Sequence, residues 1–274
     1  MPRELRIAVF DMDGTLIPEQ PVPAAVIPIV GEVKRAVAAN PALAEKPAVA
    51  ALLKGDVNAL HAAGEQGAAD ILAAATADRT VEEVAADLHR LIDAARHPRF
   101  QRPFTELAYR PMVELLDYLR ANGFSTWICS GSPVAFTRAL SQPMFAIPAQ
   151  QVLGSHVRTR FAERDGRSVL LYTHELDHIS DKEGKPPVIE LGIGVRPLLV
   201  GGNVRSGGDI AMMRYSKDRR GPSLQLLINH DDAEREFAYA EPDGYSLGAA
   251  SKYGFMVVSM KNDWARVFTE PPTR

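Results

Sequence analysis

The chain of 274 residues has little of several features that would point to particular classes of protein. It contains one cysteine, Cys129, so an intramolecular disulfide is impossible and the cysteine content does not indicate a redox compartment. The 31 lysines and arginines are balanced by 34 aspartates and glutamates, and the net charge of −3 shows no basic excess that would suggest a nucleic-acid partner. No apolar run approaches the roughly 20 residues that a membrane-spanning helix needs.

A targeting segment is not evident either. Residues 1–6 are short and charged, and a predicted strand follows at once, which is unlike a signal peptide. The composition, 46% hydrophobic and 24% charged, is typical of a globular protein, and the length suggests one large domain or two smaller ones. We therefore expect a cytoplasmic protein that has no nucleic-acid or membrane partner.

One short segment combines a buried-strand pattern with two carboxylates. Residues 6–10 form an apolar run rich in β-branched and aromatic types, and Asp11 and Asp13 follow directly. The two acids therefore lie where a predicted strand ends. In open α/β sheets, ligands bind at the carboxyl ends of the strands.

Two acids this close at a buried position need a partner. At an effective dielectric of about 20, two like charges about 4 Å apart repel by roughly 4 kcal/mol. Mg²⁺ removes that cost, because it prefers oxygen ligands beside a phosphate. Gly14 lets the backbone approach a ligand closely, and Thr15 adds a hydroxyl and backbone donors. The alternative is an Asp-Gly turn held by local hydrogen bonds.

The segment FDMDGTL, residues 10–16, resembles the first motif of the haloacid dehalogenase (HAD) superfamily of phosphohydrolases. The resemblance implies that Asp11 is the nucleophile, which becomes an aspartyl-phosphate. It also implies that Asp13 is the general acid/base and that the Asp13 backbone carbonyl binds Mg²⁺. Asp13 argues against carbon–halogen cleavage, because dehalogenase-type members lack an acid at this position.

Residues 17–105 differ in composition from the rest of the chain. They are rich in alanine and show helical apolar spacing over 24–39, 47–53, 57–75 and 80–95, where Thr80 and Glu83 fit a capping box. An all-helical insert after the first motif resembles the small helical cap of the phosphoserine-phosphatase-like branch. We predict a core of residues 1–16 and 106–274 and a helical cap of residues 17–105. An unrelated helical domain in tandem is the alternative.

A second candidate site follows the next predicted strand, residues 124–129. Ser130 and Gly131 come directly after it, and a helix is predicted from residue 134. A strand, a Ser-Gly pair and a helix form a typical backbone nest for an anion. An ordinary helix cap is the alternative. The superfamily resemblance places Ser130 on a phosphoryl oxygen, with Gly131 beside it in substrate binding.

A lysine is expected at the same edge of the sheet. Lys185 precedes a predicted helix and would neutralise phosphate and orient Asp11. A solvated loop lysine is the alternative. The superfamily's third motif is a lysine of this kind, and we assign it to Lys185, with Lys182 as the second choice.

A glycine-rich loop after the predicted strand 197–200 resembles the fourth motif. It carries Asn203 and Asp209, where the superfamily usually has two acids four residues apart. An amide oxygen is a weaker Mg²⁺ ligand than a carboxylate. The candidate metal ligands that the resemblance implies are Asp11, Asp13, Asn203 and Asp209. Of the last two, either Asn203 binds through its side-chain carbonyl or the longer loop lets Asp209 take its place. A plain flexible loop is the alternative.

Two further predictions concern the rest of the chain. Residues 151–174 alternate about Asp165-Gly166, which predicts a β-hairpin at the sheet's edge or as a flap. His230 follows a predicted strand over residues 224–228, and we expect it to line the substrate entrance. The predicted fold is therefore a Rossmann-like three-layer α/β core with a parallel sheet, a helical cap and a hairpin.

The expected function is Mg²⁺-dependent hydrolysis of a small phosphorylated metabolite, a phosphate monoester. The sequence gives the reaction type without the substrate or the oligomeric state. A phosphonatase would use a lysine from the cap, where Lys34, Lys46 and Lys54 lie. A phosphotransferase is a further alternative. A non-catalytic binding or regulatory protein on the same scaffold is supported only by Asn203.

Overall fold

The computed structural model describes residues 2–205 and 207–269 and, for Val57, His61 and Glu65, only the backbone. The strands are β1 (Ile7–Phe10), β2 (Ser125–Pro133), β3 (Val152–Arg164), β4 (Arg167–His178), β5 (Leu199–Asn203), β6 (Leu224–Asn229) and β7 (Met256–Ser259). The helices are α1 (Val26–Ala39), α2 (Pro47–Lys54), α3 (Val57–Thr76), α4 (Val81–Ala94), α5 (Arg110–Ala121), α6 (Val134–Phe145), α7 (Lys185–Ile193), α8 (Ile210–Lys217), α9 (Tyr245–Tyr253) and α10 (Met260–Asp263).

The seven strands form one sheet in the order β4-β3-β2-β1-β5-β6-β7. All neighbouring pairs are parallel except β3 and β4, which are joined as an antiparallel hairpin. The turn residues Asp165 and Gly166 both have positive φ, as a tight hairpin turn requires. The hairpin prediction is therefore confirmed, at the edge of the main sheet.

Successive side chains of β1 point to opposite faces of the sheet, and a layer of helices packs on each face. Ala8 and Phe10 lie on one face, in a buried cluster with side chains of α5 and α6 such as Leu116. Ile7 and Val9 lie on the other face, in a second cluster with side chains of α7, α8 and α9. Helices on both faces of a mostly parallel sheet make the expected three-layer α/β fold, which is confirmed.

The register of the sheet places three loops side by side. Phe10, the last residue of β1, is paired with Ile128 in β2 and Gly201 in β5. Because these strands are parallel, their carboxyl ends meet at one edge. Asp11, Ser130 and Asn203 therefore lie close together without being near in sequence.

Helices α1 to α4 occupy the predicted cap region. Thr80 and Glu83 form the predicted capping box at the start of α4. Val33 and Val49 belong to a small buried cluster of α1, α2 and α3, whereas Leu88 of α4 packs in the main cluster with Phe10. The domain limits at residues 17 and 105 stay a prediction. Of the helices in the described part of the chain, none is both long and apolar enough to cross a bilayer.

Candidate active site

A buried lysine joins two carboxylates at the carboxyl edge of the sheet. Lys185 Nζ lies 2.7 Å from Asp11 Oδ1 and 2.6 Å from Asp209 Oδ1. Its side chain is 2% exposed, at the first position of α7. Lys182, the second choice from the sequence, is exposed. The geometry therefore favours Lys185 as the lysine of the site.

The charges of this trio depend on one another. Burial lowers the pKa of Lys185, but Asp11 and Asp209 outweigh it and hold that pKa well above its usual range. Burial raises the pKa of Asp11, Asp209 adds to the rise, and Lys185 opposes it. A buried ion pair of this kind stabilises only while every partner is present.

Asp209 is fully engaged by the protein. Its Oδ1 accepts from Lys185, and its Oδ2 accepts from the Asn203 backbone N–H at 2.9 Å. A Cβ on Gly202 would lie 2.5 Å from the Asp209 Cβ, so this approach requires glycine. Asp209 therefore positions Lys185 and the loop after β5. Asn203 is the better candidate for direct metal contact, because its side-chain oxygen has no hydrogen-bond partner among the described atoms.

Asp13 is held by two serines from the end of β2. Ser132 Oγ donates to Asp13 Oδ2 at 2.6 Å, and Ser130 Oγ lies 3.5 Å from the same oxygen. Burial raises the pKa of Asp13, while the Ser132 hydrogen bond lowers it. Among the described atoms, Asp13 Oδ1 is buried without a hydrogen-bond partner. The carboxyl therefore keeps one oxygen available for a ligand or a proton.

Ser132 is a site residue that the sequence prediction missed. It lines the cavity together with Gly131, whereas Ser130 is fully buried and accepts from the Ser132 backbone N–H at 3.1 Å. A serine two residues after Ser130 in a strand-like segment points to the same side, and that alternation was the available signal.

Gly14 and Thr15 belong to the loop after β1, and His230 packs against that loop. Within the described part of the chain, none of these three predicted substrate-binding residues is in the cavity lining. Thr15 Oγ1 donates to Asp11 Oδ2 at 3.3 Å and is fully buried. His230 Nε2 lies 2.7 Å from the Gly14 carbonyl oxygen, and Nδ1 lies 3.2 Å from Glu236 Oε2. His230 therefore supports the loop after β1 through its contact with the Gly14 carbonyl oxygen. This placement differs from the expected one at the entrance, because both ring nitrogens are engaged inside the protein.

A second charged pair borders the site. Arg205, in the loop after β5, forms an ion pair with Glu19, whose side chain is 5% exposed. Burial raises the pKa of Glu19 to about 7, although Arg205 opposes the rise. The sequence prediction missed both residues, because nothing in the spacing between positions 19 and 205 indicates contact.

These groups lie in a cavity of about 950 Å³ between the sheet edge and helices α1 to α3. Asp11, Asp13, Lys185 and Asn203 are at its polar side. Its volume is at the upper end of the roughly 300–1,000 Å³ of typical small-molecule sites. In the described part of the chain, the cavity lining contains none of the cap lysines 34, 46 and 54.

A family model described as haloacid dehalogenase-like hydrolase matches residues 8–199, which span most of the chain. The chain belongs to the haloacid dehalogenase-like hydrolase family. The matched segment includes the first two motif regions and Lys185. A comparison with curated proteins gave no match.

Three solved structures are similar to this HAD protein. A conserved protein of unknown function from Anaerococcus prevotii has 17% identity and a TM-score of 0.56, covering 94% of this chain and 86% of its own. A protein of unknown function from Bordetella pertussis has 19% identity and a TM-score of 0.53, covering 92% and 97%. A phosphoserine phosphohydrolase-like protein from Francisella tularensis has 14% identity and a TM-score of 0.46, covering 92% and 94%. At these identities, the first two likenesses show a shared fold.

HAD phosphatases generally use Mg²⁺, and the oxygen atoms of this site fit that ion. Asn203 Oδ1 is buried without a hydrogen-bond partner among the described atoms. Asn203 Nδ2 donates a hydrogen bond to the Asp13 carbonyl oxygen at 2.6 Å. The amide therefore lies directly beside this carbonyl, which is the second oxygen ligand expected for the ion. No group of three His, Cys, Asp or Glu residues in the described ranges could hold a metal ion. A carboxylate, a carbonyl and an amide form instead a mixed oxygen set.

Proposed function

We propose that this HAD protein is a Mg²⁺-dependent phosphatase that hydrolyses small phosphate monoesters through a phosphorylated Asp11. The observation that carries the proposal is the buried Lys185, which contacts Asp11 and Asp209 at the polar side of a large cavity. A cation in this position holds the nucleophile in one orientation and balances the charge of an incoming phosphate.

In the first transfer, an Asp11 carboxylate oxygen attacks the phosphorus in line with the ester oxygen. The bond from phosphorus to the ester oxygen breaks, and Asp13 donates a proton to the departing alcohol. Burial raises the pKa of Asp13, which favours its protonated form and thus supports this role. Lys185 stabilises the charge on the transferring group, and Ser132 is the serine that lines the cavity beside it.

In the second transfer, Asp13 has lost its proton and accepts one from a water molecule. The water oxygen attacks phosphorus, the bond to Asp11 breaks, and inorganic phosphate is released. The two hydroxyls that surround Asp13 Oδ2 hold the carboxylate in place for both proton transfers. Asp11 returns to its carboxylate form beside Lys185.

Three groups of this chain would hold the ion: the Asp11 carboxylate, the Asp13 carbonyl and the Asn203 side-chain oxygen. When bound, Mg²⁺ supplies positive charge that polarises the phosphoryl oxygens and lowers repulsion with Asp11. The chain itself supplies the nucleophile, the proton carrier and the buried ammonium group.

The cavity lining bears on the alternative reactions. A phosphonatase would need a cap lysine at the reacting group. In the described ranges, Lys34 and Lys54 are exposed, and Lys46 lies 3.1 Å from Asp70, outside the lining. The structure therefore favours ester hydrolysis over that reaction.

The test is p-nitrophenyl phosphate hydrolysis with Mg²⁺ and with EDTA, for the wild type and for Asp11→Asn. We expect metal-dependent turnover in the wild type and a loss of about 1,000-fold or more in the variant, because the amide is a poor nucleophile. Asp117→Asn is the matched control, since Asp117 is an exposed residue of α5. Turnover that is absent in the wild type, or equal in Asp11→Asn, would contradict the proposal and favour a binding or regulatory protein.

A further inference from the structure

The cavity beside Asp11 has two sides of opposite chemical character. The sheet edge contributes carboxylates, hydroxyls and Lys185, as described above. From residue 23 to residue 76, every described residue in the lining is apolar or glycine. We call this set the apolar wall; its large members are Val26, Ile29, Leu52, Leu60, Ile71 and Leu72.

The apolar wall leaves hydrocarbon surface open to the cavity. Val26, Ile29, Leu60, Ile71 and Leu72 are only partly buried. Three of them also pack against the buried cluster of helices α1 to α3, to which Leu52 belongs. Neighbouring apolar side chains left uncovered around a concave surface are typical of a ligand-binding groove. The wall therefore fits a ligand that presents an apolar group to it.

Two ion pairs of the helical insert lie outside the cavity lining. Glu32 is paired with Arg79, and Lys46 is paired with Asp70; none of these four residues is in the cavity lining. The described part of the apolar wall therefore provides no charge for a polar leaving group.

Two charged groups on the opposite side are also already paired. Arg205 is bound to Glu19, and Asp177 forms ion pairs with Arg158 and His156. Asp181, Lys182 and Glu183 also line this charged side. A sugar or amino-acid group that packed on the apolar wall would lose its hydration there. Burying a hydroxyl without a partner costs about 1–3 kcal/mol in proteins.

We propose that the substrate is a phosphate monoester of an apolar alcohol, whose hydrocarbon group packs on the apolar wall. The phosphate is held at Asp11 and Lys185, so this inference rests on the proposed function and specifies its substrate class. Transfer of the hydrocarbon group from water to the wall supplies the discrimination between esters.

The first test compares kcat/KM for methyl, butyl and octyl phosphate with that for phosphoserine and glucose 6-phosphate. We expect kcat/KM to rise by about two- to fourfold for each methylene that reaches the wall. Both polar esters should be turned over no faster than butyl phosphate. A flat alkyl series, or a polar ester that exceeds octyl phosphate, would overturn the inference.

A matched pair of variants locates the effect. Val26 lines the cavity, whereas Val30 lies one turn later on α1, is also partly buried, and is outside the lining. Val26→Thr should lower the octyl-to-methyl ratio of kcat/KM by about fivefold, because a hydroxyl replaces a methyl group in the wall. Val30→Thr should keep the wild-type ratio. Equal ratios in the two variants would contradict a role of the wall.

A binding measurement separates this inference from the proposed function. Octylphosphonate and methylphosphonate cannot be hydrolysed as esters, and calorimetry gives their affinities directly. Tighter octylphosphonate binding without p-nitrophenyl phosphate turnover would refute the phosphatase and retain the apolar wall. Turnover of p-nitrophenyl phosphate with equal affinity for the two phosphonates would refute the apolar wall alone.

Discussion

The sheet edge and the helical insert differ in how deeply a paired lysine side chain is buried. At the sheet edge, Lys185 is 2% exposed and bonded to two carboxylates. In the insert, Lys46 is 40% exposed and pairs with Asp70 at the surface. The buried charges are costly and lie where we propose that a phosphate reacts, whereas Lys46 and Asp70 lie outside the cavity. We therefore propose a division of roles in which the core performs the chemistry and the insert selects the substrate.

The largest expected effect comes from replacing one lysine by methionine in each region and comparing the two losses of stability. Lys185→Met should lower the free energy of unfolding by about 3–5 kcal/mol in EDTA, because it leaves two buried carboxylates without a cation. Lys46→Met should cost less than about 1 kcal/mol, as expected for an exposed pair. Urea unfolding measures both. Similar losses in the two variants would break the comparison.

The buried carboxyl of Glu19 offers a test by pH. Its pKa is raised by burial from 4.5 to about 7 in the folded protein. The folded state therefore binds more protons than the unfolded state between these values, so stability should fall as the pH rises from about 4.5 to 7. The shift corresponds to roughly 3 kcal/mol.

The measurement is urea unfolding of the wild type and of Glu19→Gln across that pH range. The difference in unfolding free energy between the two proteins should change in favour of the variant as the pH rises, and then level off above pH 7. A difference that is constant with pH would show that Glu19 is ionised throughout.

A substitution at Asn203 tests the proposed Mg²⁺ site. Asn203→Asp should lower the Mg²⁺ concentration for half-maximal activity by about tenfold, because a carboxylate binds Mg²⁺ more strongly than an amide. In EDTA the same variant should melt at a lower temperature, since it adds a charge beside Asp11 and Asp209. Asn122→Asp, at an exposed position after α5, is the control. An unchanged Mg²⁺ requirement would argue against Asn203 as a ligand.

The smallest expected effect belongs to the insert. Thr80→Ala removes the side-chain cap of α4 and should lower the free energy of unfolding by about 1 kcal/mol. Turnover of p-nitrophenyl phosphate should stay at the wild-type value, because Thr80 is outside the cavity lining. A large loss of turnover would mean that α4 contributes to catalysis and would weaken the division between the regions.

The sequence predicted the elements that depend on local pattern. The apolar run before Asp11, the capping box at Thr80 and the Asp165-Gly166 turn each carry a short-range signal, and the structure contains all three. Because parallel strands end at one edge, the sequence also predicted that Asp11 and Ser130 would lie there, and the third motif of the family placed Lys185 beside them. Their catalytic roles stay predictions.

Other features could not be predicted because they depend on packing between distant segments. The pairing of Glu19 with Arg205 joins two loops that no spacing rule relates. His230 follows a strand like a cavity residue, yet its ring is buried beneath Gly14. Apolar helix positions of the insert look alike in sequence, and only the structure separates Val26, at the cavity, from Val30.

The most direct test of the central claim is to trap the phosphoryl group on Asp11. Asp13→Asn should slow hydrolysis of the intermediate more than its formation from p-nitrophenyl phosphate, because p-nitrophenolate departs without a proton donor. Acid quenching, digestion and mass spectrometry should then find one phosphoryl group on the peptide that contains Asp11. Phosphate on another residue, or none in a variant that still releases p-nitrophenolate, would contradict the account.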